Sequence, residues 1–312
     1  MHNKKHSYSA TTVSLEYKSN FCYQYLRENF LGVFMTNIEL KEYWEELLSI
    51  YKGIIFNNCN FAGGINGRIN YNFDCPQFYT LKEKYKLEIL AKRGRDFERA
   101  KNLLSFFAPR INHKSDFQND INCNAMDLLE YCLDKPDNGI NCLNKSKILQ
   151  ECCLALGIYA RRVWLMPYSP YDTDNHVVVE IYDFYLGKWI MLDMSANGYF
   201  VNSDGVPLSV LEIRDKFAAN EICKFVKTSA VHDNFFSDMQ MECLYYKQYF
   251  AKNLCYLFVE TQNEFSDNKK RLSFIPYNFD LTKNLKYKSF IEEDIPPVGN
   301  ISMLLNAPKK SD

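Results

Sequence analysis

Three residues whose types suit thiol chemistry occur in the order Cys142, His176 and Asp193. A cysteine becomes an efficient nucleophile when a nearby imidazole accepts its proton and a carboxylate fixes the orientation of that imidazole. In such a site the histidine takes the thiol proton and later protonates the leaving amine. The three residues therefore predict acyl transfer through a thioester, provided that the fold brings them together.

The segment from Asn175 to Asp193 is predicted to form a β-hairpin. Residues 176–182 are a β-branched run, residues 188–193 are a second apolar run, and the intervening residues favour a turn. If residues 183–186 close the turn, His176 lies directly opposite Asp193. Opposed residues share a face and have Cβ atoms about 5 Å apart, so the two side chains can hydrogen-bond.

The apolar residues of this hairpin support the same register. They collect on the opposite face as a wholly aliphatic set suited to a core, and a one-residue slip would scatter them. The set is Val177, Val179, Ile181, Ile190 and Leu192.

Cys142 is predicted to lie in the first turn of a helix. It follows Asn141, a good N-cap residue, and the helical pattern over residues 142–156 ends at Gly157. Unpaired backbone N–H groups and the helix dipole at this position favour the thiolate over the thiol, and Lys145 adds a positive charge. The placement therefore favours a reactive sulfur.

One stripe of this helix carries Cys142, Lys145, Leu149 and Leu156. Because this stripe is the more apolar one, we expect it to pack against the sheet. The first turn of the helix would then point at the sheet face that carries the histidine and the aspartate.

Composition excludes several classes of function. The chain has 312 residues, 47% of them hydrophobic, and a formal net charge of −1 with dispersed basic residues. Nucleic acid and anionic membrane are not expected partners, because neither a one-sided positive field nor a run of about 18 apolar residues occurs. The polar start of the chain lacks an apolar signal region, so we expect a cytoplasmic protein.

The 11 cysteines are an odd number and include no C-x-x-C pair, which favours reduced, mostly buried thiols. The adjacent Cys152 and Cys153 point about 100° apart on a helix and match no metal-ligand spacing. We therefore expect neither a metal nor another cofactor.

A longer series of residues resembles the transglutaminase-like superfamily, and the segment from Tyr199 to Arg214 that follows it looks similar to a bacterial branch of that superfamily. The resemblance implies a papain-like fold, Cys142 as nucleophile, His176 as base and acid, and Asp193 as the orienting group. It spans roughly residues 80–217 and rests on Gly139, Ile140, Asn141, Cys142, Lys145, Ser146, Ile148, Leu149, Gly157, Ile158, Ala160, Arg161, Val163, His176, Glu180, Tyr182, Trp189, Leu192 and Asp193.

The chain departs from two branches of that superfamily. Calcium-activated cross-linking enzymes of animals have an aromatic residue after the cysteine, where this chain has Leu143, and no acidic calcium loop is evident. The peptide N-glycanases have paired C-x-x-C zinc motifs, which this sequence lacks. Calcium-dependent cross-linking and glycan release are therefore disfavoured.

The sequence predicts an α+β fold in which the helix of Cys142 packs on an antiparallel sheet. Residues 81–217 are the expected transglutaminase-like core. Residues 1–80 form an N-terminal extension of uncertain structure, and residues 218–312 an α/β extension at the C-terminus. Outside the core, a helix is predicted over residues 39–51, another over 239–254 and a strand over 271–276.

The reaction is left open at several points. The expected partner is a protein or peptide that donates a carboxamide, and the acceptor is either an amine or water. Gln118 is one candidate for the second oxyanion donor beside the Cys142 N–H. Arg161 and Glu180 are interpreted as a structural ion-pairing set. The alternative function is a non-catalytic binding or scaffold module that retains the fold.

Overall fold

The computed structural model of the protein describes residues 36–135, 137–229, 236–267, 269–286 and 295–309. The chain is a mixture of helices and strands, which confirms the α+β class. The first 35 residues of the expected N-terminal extension lie outside the described residues. Among the helices described, none combines the length and apolar character that crossing a membrane requires.

Helices flank a central run of strands along the chain. The helices are α1 (Asn37–Asn57), α2 (Pro76–Lys84), α3 (Leu87–Ala91), α4 (Asp96–Phe107), α5 (Ala125–Asp134), α6 (Cys142–Ala155), α7 (Val210–Ala218), α8 (Met239–Lys252), α9 (Leu281–Leu285) and α10 (Ser302–Leu305). The strands are β1 (Asn70–Tyr71), β2 (Asn112–His113), β3 (Gly139–Ile140), β4 (Ala160–Met166), β5 (His176–Asp183), β6 (Lys188–Leu192), β7 (Gly198–Val201), β8 (Lys224–Lys227), β9 (Tyr256–Glu260), β10 (Gln262–Asn263) and β11 (Arg271–Phe274).

Five antiparallel strands form the main sheet, in the order β11-β9-β4-β5-β6. Strands β9 and β11 come from the C-terminal segment, and β9 lies between β4 and β11. The sheet is therefore not confined to residues 81–217. The segment interpreted as an extension supplies two of its strands.

Helices cover both faces of this sheet. On one face, α6 and its neighbours α2, α4 and α5 pack against Val179, Ile181, Ile190 and Leu192. On the other face, residues of α1, α7 and α8 pack against a second apolar set that includes Val178 and Met191. Strands β4 to β6 are consequently buried along almost their whole length.

The predicted hairpin forms, but its register differs from the prediction by two residues. Asp183 pairs with Lys188 and Val179 with Leu192, so residues 184–187 form the turn. Asp183 ends the strand and its Oδ1 accepts a hydrogen bond from Leu186 N at 2.8 Å. Gly187 closes the turn with a φ of 65°, a conformation that favours glycine. Directly opposed His176 and Asp193 were therefore a wrong prediction.

A two-residue displacement leaves every side chain on its expected face, because side chains alternate with a period of two. The aliphatic set therefore packs in the core as predicted. For the same reason His176 and Asp193 still share one face of the sheet. Their side chains approach each other diagonally instead of directly across the strands.

The expectation that α6 packs on the same face as His176 and Asp193 is wrong. Helix α6 lies against Val179 and Ile181, and strand alternation puts His176 on the other face with Val178. Cys142 begins α6, and His176 begins β5. The two residues meet at the end of the strand, where a side chain can reach from one face to the other.

Helix α6 begins where the sequence predicts. The side chain of Asn141 caps it by accepting from Asn144 N at 3.3 Å, and Gly157 follows its end with a φ of 75°. The helix is buried on nearly all sides between residues 144 and 154. Its one charged pair on the core side, Lys147 Nζ and Glu151 Oε1, is separated by 3.2 Å.

Two buried arginines occupy consecutive positions of β4, so their side chains lie on opposite faces of the sheet. Arg161 bonds Glu180 through Nε at 2.9 Å and Nη2 at 2.6 Å, as the interpretation of both residues as structural implied. Arg162 bonds Glu260 through Nη2 at 2.5 Å. Its Nη1 also donates to the Leu143 carbonyl at 3.3 Å, which ties the first turn of α6 to the sheet.

We predict that Arg162→Met lowers the free energy of unfolding by about 3–5 kcal/mol, because Glu260 would stay buried without its partner. Denaturant unfolding measures the loss. The double variant Arg162→Met with Glu260→Met removes both buried charges and should recover most of the stability. A double variant as unstable as the single one would contradict this account of the pair.

Candidate active site

His176 and Asp193 are joined by a short hydrogen bond. The distance from His176 Nε2 to Asp193 Oδ2 is 2.5 Å. The histidine is 3% exposed and the aspartate is 0% exposed, so water does not screen this contact. The structure thus brings together the two residues that the hairpin pattern singled out, although through a different register.

The Asp193 carboxylate is satisfied on both oxygens. Its Oδ1 accepts from the backbone N–H of Ser195 at 2.6 Å and of Ala196 at 3.0 Å. Its Oδ2 accepts from the Tyr246 hydroxyl as well as from His176. Four donors on a fully buried carboxylate hold it in one orientation and favour its ionised form.

Cys142 completes the chain of contacts. Its side chain is half-buried and lies close enough to the His176 ring to help raise the pKa of that ring. Because Nε2 of that ring is bonded to the aspartate, Nδ1 is the nitrogen left for the sulfur. The backbone N–H groups of Cys142 and Leu143 lie in the first turn of α6, where no intrahelical carbonyl can accept from them.

The charges at the site reinforce one another. Burial opposes the charged form of His176, but the Asp193 carboxylate and the hydrogen bonds to Asp193 and Cys142 outweigh it and raise the pKa of His176 to about 10. Burial likewise opposes the ionised form of Asp193, yet His176 and the donated hydrogen bonds lower the pKa of Asp193. The pair is therefore an imidazolium and a carboxylate at neutral pH.

Helix α8 supplies two tyrosines that the sequence did not single out. Tyr246 donates to Asp193, and the Tyr249 ring packs edge-on against the His176 ring at a centroid distance of 5.4 Å. The two tyrosines are three positions apart and share one face of the helix. The predicted helix over residues 239–254 was correct. The sequence pattern does not show, however, which part of the fold packs against the face that carries the two tyrosines.

Two further ionisable residues lie close to the triad. Lys145 is one turn along α6 from Cys142 and is only 2% exposed. His113 on β2 pairs in parallel with Ile140 of β3, which leads into α6. Burial, together with the positive charges of Lys145 and His176, lowers the pKa of His113 to about 3, so its ring is neutral.

Asparagines fix the loop that precedes the nucleophile. Asn119 Oδ1 accepts from Asn144 Nδ2 at 2.6 Å and from Asn141 Nδ2 at 3.1 Å. Gln118, the candidate second oxyanion donor, is exposed, and its Nε2 donates to the Asp116 carbonyl at 2.8 Å. The side-chain amide of Gln118 is therefore engaged within its own loop.

No group of three or more metal-ligating side chains with the spacing of a metal site occurs within the described ranges. Comparison with protein-family models, with curated proteins and with solved structures finds no match for this chain. Function is consequently inferred from the geometry of Cys142, His176 and Asp193 and from the residues around them.

We predict that Tyr246→Phe lowers the free energy of unfolding by about 1–3 kcal/mol, because a buried carboxylate loses one of its donors. Tyr249→Phe is the matched control. It removes a hydroxyl whose bonds to Asp174 and to the Asn175 carbonyl are both 3.4 Å long, so its effect should be smaller. Equal losses for the two variants in denaturant unfolding would argue against a special role for the hydroxyl of Tyr246.

Proposed function

We propose that the protein is a thiol-dependent acyltransferase or amidohydrolase with a papain-like, transglutaminase-like core. Cys142 is the nucleophile, His176 exchanges protons with the reacting groups, and Asp193 orients the histidine. One observation carries the proposal. A single buried imidazole bonds a carboxylate that has four donors and lies beside the sulfur at a helix start.

The first half of the reaction forms a thioester. The Cys142 sulfur attacks the carbonyl carbon of a carboxamide, and the negative charge moves to the carbonyl oxygen. The unpaired N–H groups in the first turn of α6 are placed to stabilise that oxygen. The C–N bond then breaks as the His176 imidazolium gives its proton to the departing nitrogen, and a primary carboxamide releases ammonia.

The second half releases the acyl group. An amine or a water molecule attacks the thioester carbon, and the neutral His176 takes the proton that this acceptor loses. The C–S bond breaks and the thiolate is restored beside the imidazolium. Throughout the cycle Asp193 stays ionised, because its four donors favour the carboxylate.

Chain order and placement support the transglutaminase-like assignment. The nucleophile opens a buried helix, and the histidine and the aspartate follow on neighbouring antiparallel strands. Every side chain of the proposed triad also has the partner that its role requires. A site retained only as a scaffold has no need of a buried carboxylate bonded to a histidine beside a cysteine.

We predict that a limiting thiol alkylator at pH 6 labels Cys142 faster than the other cysteines. The imidazolium beside the sulfur stabilises the thiolate at a pH where ordinary thiols are protonated. Peptide mass mapping gives the rate at each site. Cys59 is the internal control, since it is exposed but has no such partner.

His176→Ala should abolish the selective labelling of Cys142. If Cys142 reacts no faster than Cys59 in the unchanged protein, the enzyme assignment is wrong and a non-catalytic binding module is the better description.

The donor can be identified by trapping the acyl-enzyme. Incubation with glutamine-containing peptides and with ordinary peptides, followed by intact-mass measurement, should show one adduct equal to a peptide less its leaving amine. The adduct should be absent in Cys142→Ala and should be released by hydroxylamine. Loss of 17 Da, the mass of ammonia, identifies a side-chain carboxamide, whereas a truncated peptide identifies cleavage of a backbone amide.

A further inference from the structure

Lys145 is a buried lysine with no partner of its own. No ion pair or hydrogen bond joins its ammonium group to a residue within the described part of the chain, although the side chain is only 2% exposed. Lys147 on the same helix differs sharply. Its Nζ lies 3.2 Å from Glu151 and 3.1 Å from both Gln150 Oε1 and the Glu264 carbonyl oxygen.

An unpaired buried ammonium destabilises a folded protein. Burial lowers the pKa of Lys145 to about 8, in spite of the opposing effects of Asp193, Cys132 and Cys142, so the group is still mostly protonated at pH 7. A methionine of similar length would fill the same space without this cost. The charge therefore calls for an explanation other than stability.

Of the groups that face this ammonium, two are neutral. Burial raises the pKa of the Cys132 thiol on α5 to about 11, and the neighbouring charges and burial keep the His113 ring on β2 uncharged. The remaining two groups are Asp193, which follows β6, and Cys142 on α6 itself. Lys145 thus adds one positive charge near the two groups that carry negative charge in the proposed mechanism.

The charge balance at the site requires such a cation. A thiolate and an imidazolium cancel each other when the third residue of the triad is a neutral amide. Here the third residue is the carboxylate of Asp193, so Cys142, His176 and Asp193 together carry one net negative charge when the thiolate forms. In a buried site that excess charge favours the neutral thiol.

We propose that Lys145 is a positioning residue whose ammonium balances the Asp193 carboxylate and so keeps the Cys142 thiolate and the His176 imidazolium together. This inference rests on the proposed function. It adds a fourth residue to the site, one that touches neither the substrate nor the reacting atoms.

The test is the pH dependence of Cys142 alkylation in the full-length protein, with iodoacetamide as the probe. In Lys145→Met the acid side of the pH–rate profile should shift to higher pH by about one unit. At a given pH on that side, the alkylation rate should therefore be about tenfold lower. The difference should disappear at about pH 10, where the thiol ionises in every variant. Lys145→Arg keeps the positive charge, so its alkylation rate on the acid side of the profile should stay within about threefold of that of the unchanged protein.

Thermal unfolding separates this role from a structural one. The cost of burying the ammonium and its attraction to the Asp193 carboxylate oppose each other, so Lys145→Met should change the Tm by less than about 2 °C. The matched variant Lys147→Met removes the same charge from the same helix but leaves Glu151 unpaired, so its Tm should fall. Lys114→Met removes an exposed charge beside His113 and should leave the alkylation profile unchanged.

Two results would overturn the proposal. In the first, the alkylation profile of Lys145→Met superimposes on that of the unchanged protein, while the profile of His176→Ala is shifted. That result would overturn the role of Lys145 but leave the proposed function intact. The other is a fall in the Tm of Lys145→Met as large as that of Lys147→Met, which would make Lys145 a structural residue. Failure of the proposed function looks different, because Cys142 would then react no faster than Cys59 in any variant.

Discussion

The buried carboxylate of Asp193 is the constraint on which the rest of the site depends. A carboxylate without solvent must be given donors or a counter-charge, and this one receives two backbone N–H groups, a tyrosine hydroxyl and an imidazolium. The two backbone donors belong to the loop that follows Asp193, whereas the imidazolium comes from β5 and the hydroxyl from α8. The hydrogen bonds to the two oxygens of Asp193 therefore hold the end of β6, the start of β5 and helix α8 in fixed positions relative to each other.

The same constraint explains how residues on opposite sides of the sheet cooperate. Helix α6 packs on one face, whereas His176 and Asp193 belong to the other. Contact with Cys142 is possible only where β5 begins, so the helix start and the strand start must coincide. Arg162 of β4 ties the helix start to the sheet, because it bonds the Leu143 carbonyl and Glu260 of β9 at once.

Local sequence patterns predicted the elements well and their arrangement less well. The N-cap at Asn141, the helix behind Cys142 and the strand pair after it follow from short-range rules of capping and alternation. The turn was misplaced by one residue, which displaces the pairing of the strands by two, because aspartate favours turns but Asp183 here ends the strand. The error did not separate His176 from Asp193, since a displacement by two preserves the face of every residue.

The residues that the sequence did not reveal depend on long-range packing. Tyr246 lies in a helix that the pattern predicts, yet its contact with Asp193 depends on how α8 packs on the central sheet, more than 50 residues from that carboxylate along the chain. The burial of Lys145 is equally invisible in the sequence, because a lysine in the first turn of a helix is normally solvated. Both become evident only when the two faces of the sheet are assembled.

The central claim is that Asp193 holds His176 as an imidazolium beside the sulfur of Cys142. A ¹⁵N NMR titration of the histidine rings, with only five histidines in the chain, measures this directly. The account predicts that the ring of His176 remains protonated from pH 6 to about pH 9 and titrates near its raised pKa of about 10, and that Asp193→Asn returns it towards the ordinary range. Titration of His176 near pH 6.5 in the unchanged protein would contradict the account.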